Sequence, residues 1–195
     1  MKARFIPMSA LIISVLAISG CSRSDAPALT QNAASSDFKI SASIQDLMLH
    51  EIEPAAEALW NSVSITVTED GAEQKQPRTD EEWFELRGHA ITLMEAANLL
   101  VMPGRKALNP GQVMADEGVQ GVLPATEVQA KIDANHAQFV QFAHVLHDVS
   151  ETMLQAIDAK NVQGIMDAGE AIDAACESCH LTFWYPNQVI PEFPN

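Results

Sequence analysis

The chain has 195 residues, 47% of them hydrophobic and 19% charged, and 26 Asp and Glu against 11 Lys and Arg set a formal net charge of −15. So acidic a surface is repelled by nucleic-acid phosphates and by anionic lipid headgroups, which excludes a nucleic-acid binder and any membrane attachment through a basic face. A basic protein partner suits it better than an acidic one.

The chain starts Met1-Lys2-Ala3-Arg4 and continues apolar from Phe5 to Ile18, the layout of an export signal. That run is shorter than the ~20 residues a membrane span needs. It ends Ile18-Ser19-Gly20-Cys21, which resembles the lipobox of bacterial lipoproteins. The resemblance implies a signal peptide over 1–20, cleavage before Cys21 and a lipid on its sulfur. It also implies a periplasmic protein anchored to a membrane, with Ser22 rather than Asp pointing to the outer membrane. The plainer alternative is an ordinary signal peptide with a cysteine nearby. Once Lys2 and Arg4 leave with the signal, the charge of −15 becomes −17. Residues 21–37 are small and polar beyond the cysteine and lack an apolar period, so they read as a flexible tether. Residues 38–195 are enough for one domain with one core.

Four segments of that domain carry helical periodicity. The first spans about Ser41 to Ser62, with Ile44, Leu47, Met48, Ile52, Ala55 and Leu59 on one stripe, and Pro54 is expected to bend it. Ser64 to Lys75 then reads as a small hairpin turning at Asp70-Gly71. The second helix opens on a capping box, Thr79 with Glu82, and its seam is Trp83, Leu86, Ala90, Leu93, Ala97 and Leu100. Pro103-Gly104 stops it, and 103–124 reads as a long crossing loop. The third helix is expected from a Thr126 cap, with Gln129 at the box position, unbroken to about Lys160. Its stripe is Val128, Ile132, Phe139, Leu146, Val149, Met153 and Ile157. The fourth is capped by Asn161 and runs to about Trp184, with Val162, Ile165, Gly169, Ile172, Cys176, Cys179 and Phe183 facing inward. The fold class read from this is all-α, an antiparallel up-and-down four-helix bundle.

The last turns of the fourth helix hold Cys176-Glu177-Ser178-Cys179-His180, the C-x-x-C-H pattern of covalent haem attachment. Two thiols on one helical turn reach the two vinyl groups along one porphyrin edge, and the adjacent imidazole sits under the iron as an axial ligand. The reading therefore assigns one covalent haem c to Cys176 and Cys179, with iron on His180. Cys21 goes to the lipid, so no cysteine remains for a disulfide. A zinc site is the rival, with His136, His144 or His147 as a further nitrogen ligand.

A helical bundle with C-x-x-C-H on its final helix resembles the cytochrome c′ family, the class II c-type cytochromes, over about 38–185. In that family the first helix supplies the side chain facing the open side of the haem: apolar in high-spin members, methionine in low-spin ones. The resemblance implies Met48 as sixth ligand, and dimers are common in the family. This chain departs from it after the motif, where the family commonly carries Tyr-Arg and this sequence has Phe183-Trp184. Arg87, Arg105 and Lys106 are candidate partners for the haem propionates, and Trp60 and Trp83 read as packing. The expected function is electron transfer through His180/Met48-ligated iron to a redox partner with a basic face. The alternative is a haem-based binder or sensor of NO or CO with an open or displaceable sixth position. No nucleophile motif, phosphate loop or paired carboxylates suggest an enzyme.

Overall fold

The computed structural model describes residues 38–69 and 71–188. The signal segment, Cys21, the tether and Asp70 lie outside the described residues. The described chain is predominantly helical, with one two-stranded sheet. None of its helices is long and apolar enough to cross a membrane.

The first helical segment comprises α1 (Ile44–Leu47), a π-helical stretch (Met48–Ile52) and α2 (Glu53–Trp60). The hydroxyl of Ser43 accepts from the Asp46 N–H, and the Asp46 carboxylate accepts from the Ser43 N–H, a closed capping box. The expected bend at Pro54 takes another form. The helix widens by one residue per turn just before the proline, and the Glu53 N–H reaches back five residues to the Met48 carbonyl. A proline ring crowds the carbonyl four residues earlier, and a wider turn relieves that crowding while helical bonding continues.

Two antiparallel strands follow, β1 (Ser64–Thr68) and β2 (Gly71–Lys75), paired from Ser64↔Lys75 to Thr68↔Gly71. This register corrects the expected turn. Gly71, read as part of the turn, is instead the first residue of β2, at φ +135° and paired with Thr68. Every residue of both strands is exposed, so the hairpin rests on its own hydrogen bonds.

Helix α3 (Asp80–Leu100) starts at the expected Thr79–Glu82 capping box and buries Leu86, Ala90, Leu93, Ala96, Ala97 and Leu100. The connection 101–124 contains four glycines at positive φ, Gly104, Gly111, Gly118 and Gly121, which set its turns. It is pinned to α1. Gln112 donates to Asp46 (2.6 Å), Gln45 donates to the Val113 carbonyl (3.0 Å), and the Ala115 N–H donates to Gln45 (2.8 Å).

The third helical stretch is not continuous. Helix α4 (Ala125–Ala134) ends at Asn135, whose φ −127° and ψ 36° break the helix before α5 (His136–Asp158). Thr126 lies inside α4 and makes no cap. Pro124 precedes the first turn instead, and Gln129 accepts from the Ala107 N–H (2.8 Å), tying α4 to the connection. The link to α6 (Val162–Phe183) is three residues long, with Lys160 at φ 50° and the Asn161 side chain accepting from the Gly164 N–H (3.1 Å). The core is one cluster. Helix α2 packs on α3, α3 on α5, α5 on α6, and α6 back on α2. Leu59, Leu93, Met153, Ile165 and Ile172 lie at its centre.

Candidate functional site

Cys176, Cys179 and His180 fall one helical turn apart on α6, and all three are half-buried. They wall a cavity of about 280 Å³. Its other sides come from the first helical segment (Met48, Leu49, Ile52, Trp60) and from α5 (Phe139, Phe142, Leu146). A second cavity of about 220 Å³ shares Met48, Leu49, Phe139, Cys179, His180 and Trp184, and is closed by Met114, Ala115 and Asp116 of the long connection. The fold therefore brings Met48 to the same walls as the C-x-x-C-H residues. His50, on the opposite face, is exposed.

The π turn explains how two consecutive residues, Met48 and Leu49, line these cavities. One extra residue per turn spreads successive side chains across the face that an α-helix would give to one. On α6, Phe183 meets Phe139 and Phe142 edge-on, with ring centroids 5.5 and 6.1 Å away, and holds the end of the helix against α5. The His180 carbonyl accepts from the N–H groups of both Trp184 (2.8 Å) and Tyr185 (2.9 Å). The two aromatic rings lie edge-on to the imidazole at 4.9 and 5.6 Å. The Leu123 N–H donates to the Trp184 carbonyl (2.9 Å), clasping the connection to this end.

Electrostatically the site is unusual. Asp173 and Glu177 line the larger cavity, Asp116 the smaller and Glu53 both, and among the described residues no Lys or Arg lines either. Burial pushes the Cys176 thiol up to about 11, with the Asp173 charge adding to it. Burial likewise lifts Cys179 to about 12. Burial lowers His180 against the opposing pull of Glu177, which favours the neutral imidazole that a metal requires. Tyr185 donates to Glu177 (2.6 Å), and burial with that bond raises its phenol.

The expected propionate partners lie elsewhere. Arg87 pairs with Asp158 (2.8 Å) on the surface. Arg105 donates to the carbonyls of Leu99 and Ala42, tying the end of α3 to the segment before α1. Lys106 lines a separate hollow with His136. Trp60 donates to the Gly169 carbonyl (3.0 Å), and Lys160 sits over the Trp83 ring at 5.9 Å, so both indoles do have packing roles.

Cys176, Cys179 and His180 are not gathered around one point as the ligands of a bare ion would be. Among the described residues only His147, Asp148 and Glu151, on the outer side of α5, bring three donor atoms within 4.8 Å of one another. Cys176, Cys179 and His180 do not converge in this way, as tetrahedral zinc would demand. His136, His144 and His147 line neither cavity. The cavity walls are otherwise chiefly aliphatic and aromatic, and both cysteines are free thiols.

Sequence reasoning missed Met114, Leu49 and the role of Trp184. The first lies in a stretch without periodicity. The second needed the π turn to reach the cavity. The third carries the one buried side-chain polar atom among the described residues without a hydrogen-bond partner, Nε1. Leaving such a group unpaired costs on the order of 1–3 kcal/mol. No family model, curated protein or solved structure matches the chain.

Proposed function

We propose that the protein is a monohaem c-type cytochrome of the bacterial envelope, lipid-anchored at Cys21, that transfers electrons through a His180/Met48-ligated iron. In this reading the helices form an antiparallel up-and-down bundle, a fold the mutual packing of α2, α3, α5 and α6 supports. The observation that carries the reading is the meeting of Met48 with Cys176, Cys179 and His180 around one apolar hollow. The haem supplies an iron that alternates between ferric and ferrous states.

The chain's own residues do the rest. Cys176 and Cys179 would hold the haem through thioether bonds, each thiol contributing its sulfur and its proton to one vinyl group. Burial favours the neutral His180 imidazole, whose ring lies edge-on to Trp184 and Tyr185; Met48 would be its soft sulfur partner, a pair that raises the potential relative to two histidines. Phe139, Phe142 and Leu146 give the site an apolar wall. The acidic exterior draws a basic redox partner.

A second reading rests on Leu49, which lines both cavities beside Met48. An apolar side chain over the iron would leave the sixth position open to NO or CO. The absorption spectrum separates the two, recorded oxidised and reduced, with and without carbon monoxide, on protein made in cells with cytochrome c maturation. Electron transfer through Met48 requires low-spin bands indifferent to carbon monoxide, converted to high-spin by Met48→Ala. High-spin bands that shift with carbon monoxide in the unaltered protein assign it to gas binding. Absence of covalent haem refutes both.

A further inference from the structure

Of the residues lining the larger cavity, the exposed ones are Leu49, Glu53 and Trp60 of the first helical segment and Asp173 of α6. The hollow around His180 therefore opens between these two elements. Trp60 and Asp173 also line a neighbouring, more open hollow of about 310 Å³, together with Leu59, Val63, Ile165 and Met166. The two hollows make one groove. The Trp60 indole stands where they meet, 38% exposed and fixed by its bond to the Gly169 carbonyl, and Leu49, 39% exposed, lies at the mouth of the first.

Two rows of acids flank this apolar strip. Glu53 and Glu57 are one turn apart on α2 with Trp60 a turn further, and Glu170, Asp173 and Glu177 recur at helical spacing on α6. No Lys or Arg occurs between Ile44 and Trp60 or between Val162 and Phe183. Among the described residues, none of the ion pairs involves any of the five acids, so their charge is not cancelled. An exposed aromatic set in an apolar strip with a polar rim is the anatomy of a protein interface.

The charge selects the occupant. A second copy would bring the same acids against these rows, and an anionic lipid surface is repelled in the same way. A face with cations around an apolar centre complements the groove in both respects.

Resting on the electron-transfer reading above, we propose that the groove between α2 and α6 is the docking face for the redox partner. That partner is a protein presenting lysines and arginines around an apolar centre. Its centre seats on Trp60 and Leu49, and its cations meet the two acid rows. Docked there, it faces the mouth of the hollow rather than a wall of helix. Trp60 is then a packing residue on its buried edge and a contact residue on its exposed one.

The probe for the test is mitochondrial cytochrome c, a lysine-rich redox protein, titrated in its ferrous form into the isotope-labelled ferrous holoprotein at low ionic strength. Amide shifts map the contact, and the titration gives the dissociation constant. Two double variants remove equal charge from different faces. Glu57→Gln with Glu170→Gln alters the groove at positions that do not line the hollow around His180. Glu85→Gln with Glu95→Gln alters exposed positions of α3.

The expected shifts gather on 49–60 and 166–177 and include the Trp60 indole proton. The groove pair should weaken binding about tenfold and the α3 pair less than about twofold, with the gap closing as salt is raised. Equal weakening by the two pairs overturns the inference, because the probe then senses net charge and no particular face. Shifts gathered elsewhere, or no binding at low salt, overturn it as well. The same shifts on concentrating the protein without the probe would give the groove to a second copy, and that too overturns it. All these outcomes leave the haem reading standing. Unaltered protein without covalent haem, seen by haem staining before any titration, overturns both that reading and the inference.

Discussion

The first helical segment and α3 begin alike and end differently. Each opens on a capping box, Ser43 with Asp46 and Thr79 with Glu82, and each lays an apolar stripe on the same core. Helix α3 then runs unbroken for 21 residues, and of its buried face only Leu100 reaches the hollow around His180. The first segment surrenders its regularity after one turn, widens into a π stretch ahead of Pro54, and gives Met48 and Leu49 to the cavities. Caps decide where a helix starts; what it must face later decides whether it stays regular. One helix is scaffold, the other trades ladder geometry for access to a site.

That contrast can be broken most forcefully in α3. Leu93 is fully buried, and Leu93→Ala should cost about 3 kcal/mol through lost burial and the cavity left behind. Denaturant unfolding measures it and, on the haem reading proposed above, the absorption spectrum should stay where it was. A spectral change as large as that of Met48→Ala would mean that the scaffold and the site are not separable.

The caps sharpen the comparison at smaller scale. Ser43→Ala and Thr79→Ala should each cost about 1 kcal/mol. Ser43 is the dearer of the two, because it is fully buried and because Asp46 also accepts from Gln112 and Asn109 of the long connection. Limited proteolysis should accordingly nick residues 103–124 faster in Ser43→Ala than in Thr79→Ala. Equal nicking would show that the connection is held independently of the first cap.

The smallest effect is on acid stability. Backbone N–H donors, from Ser43 to Asp46 and from Arg78 to Glu82, hold both carboxylates below their ordinary range. A carboxyl depressed on folding contributes stability above its ordinary pKa and loses it as pH falls towards the folded value. The melting temperature should therefore decline as pH drops below about 4. Asp46→Asn should flatten that decline more than Glu82→Gln, since Asp46 has the additional partners. Identical acid profiles for the two variants would count against the coupling of α1 to the connection.

Much of this architecture was legible in the sequence because local chemistry writes it there. The Thr79–Glu82 box, the Asn161 cap, the α3 seam and the inward face of α6 follow from side chains read at helical spacing. What escaped was set by contacts distant in the chain. The break at Asn135 has no proline or glycine to announce it, and Gln129 looked like half of a capping box but serves Ala107. The hairpin turn slipped by one residue because Gly71 adopts its positive φ inside the first pair of the ladder rather than in the loop. At the site, the C-x-x-C-H residues could be named from their spacing, and Met48 from its place on the first apolar stripe together with the family resemblance. Leu49 needed the π turn, Met114 needed the fold of the connection, and the unpartnered nitrogen of Trp184 needed a three-dimensional account of donors and acceptors.

Gly169 and Trp60 carry a consequence for how this chain can vary over time. A Cβ on Gly169 would stand 3.3 Å from Cδ1 of Trp60, closer than the indole tolerates without shifting by a few tenths of an ångström. That same indole donates to the Gly169 carbonyl. The two positions are therefore bound to a shared history. An ancestor or descendant that gains a side chain at 169 should be found with a smaller residue than tryptophan at 60, and among chains of this lineage the pair should change together or not at all.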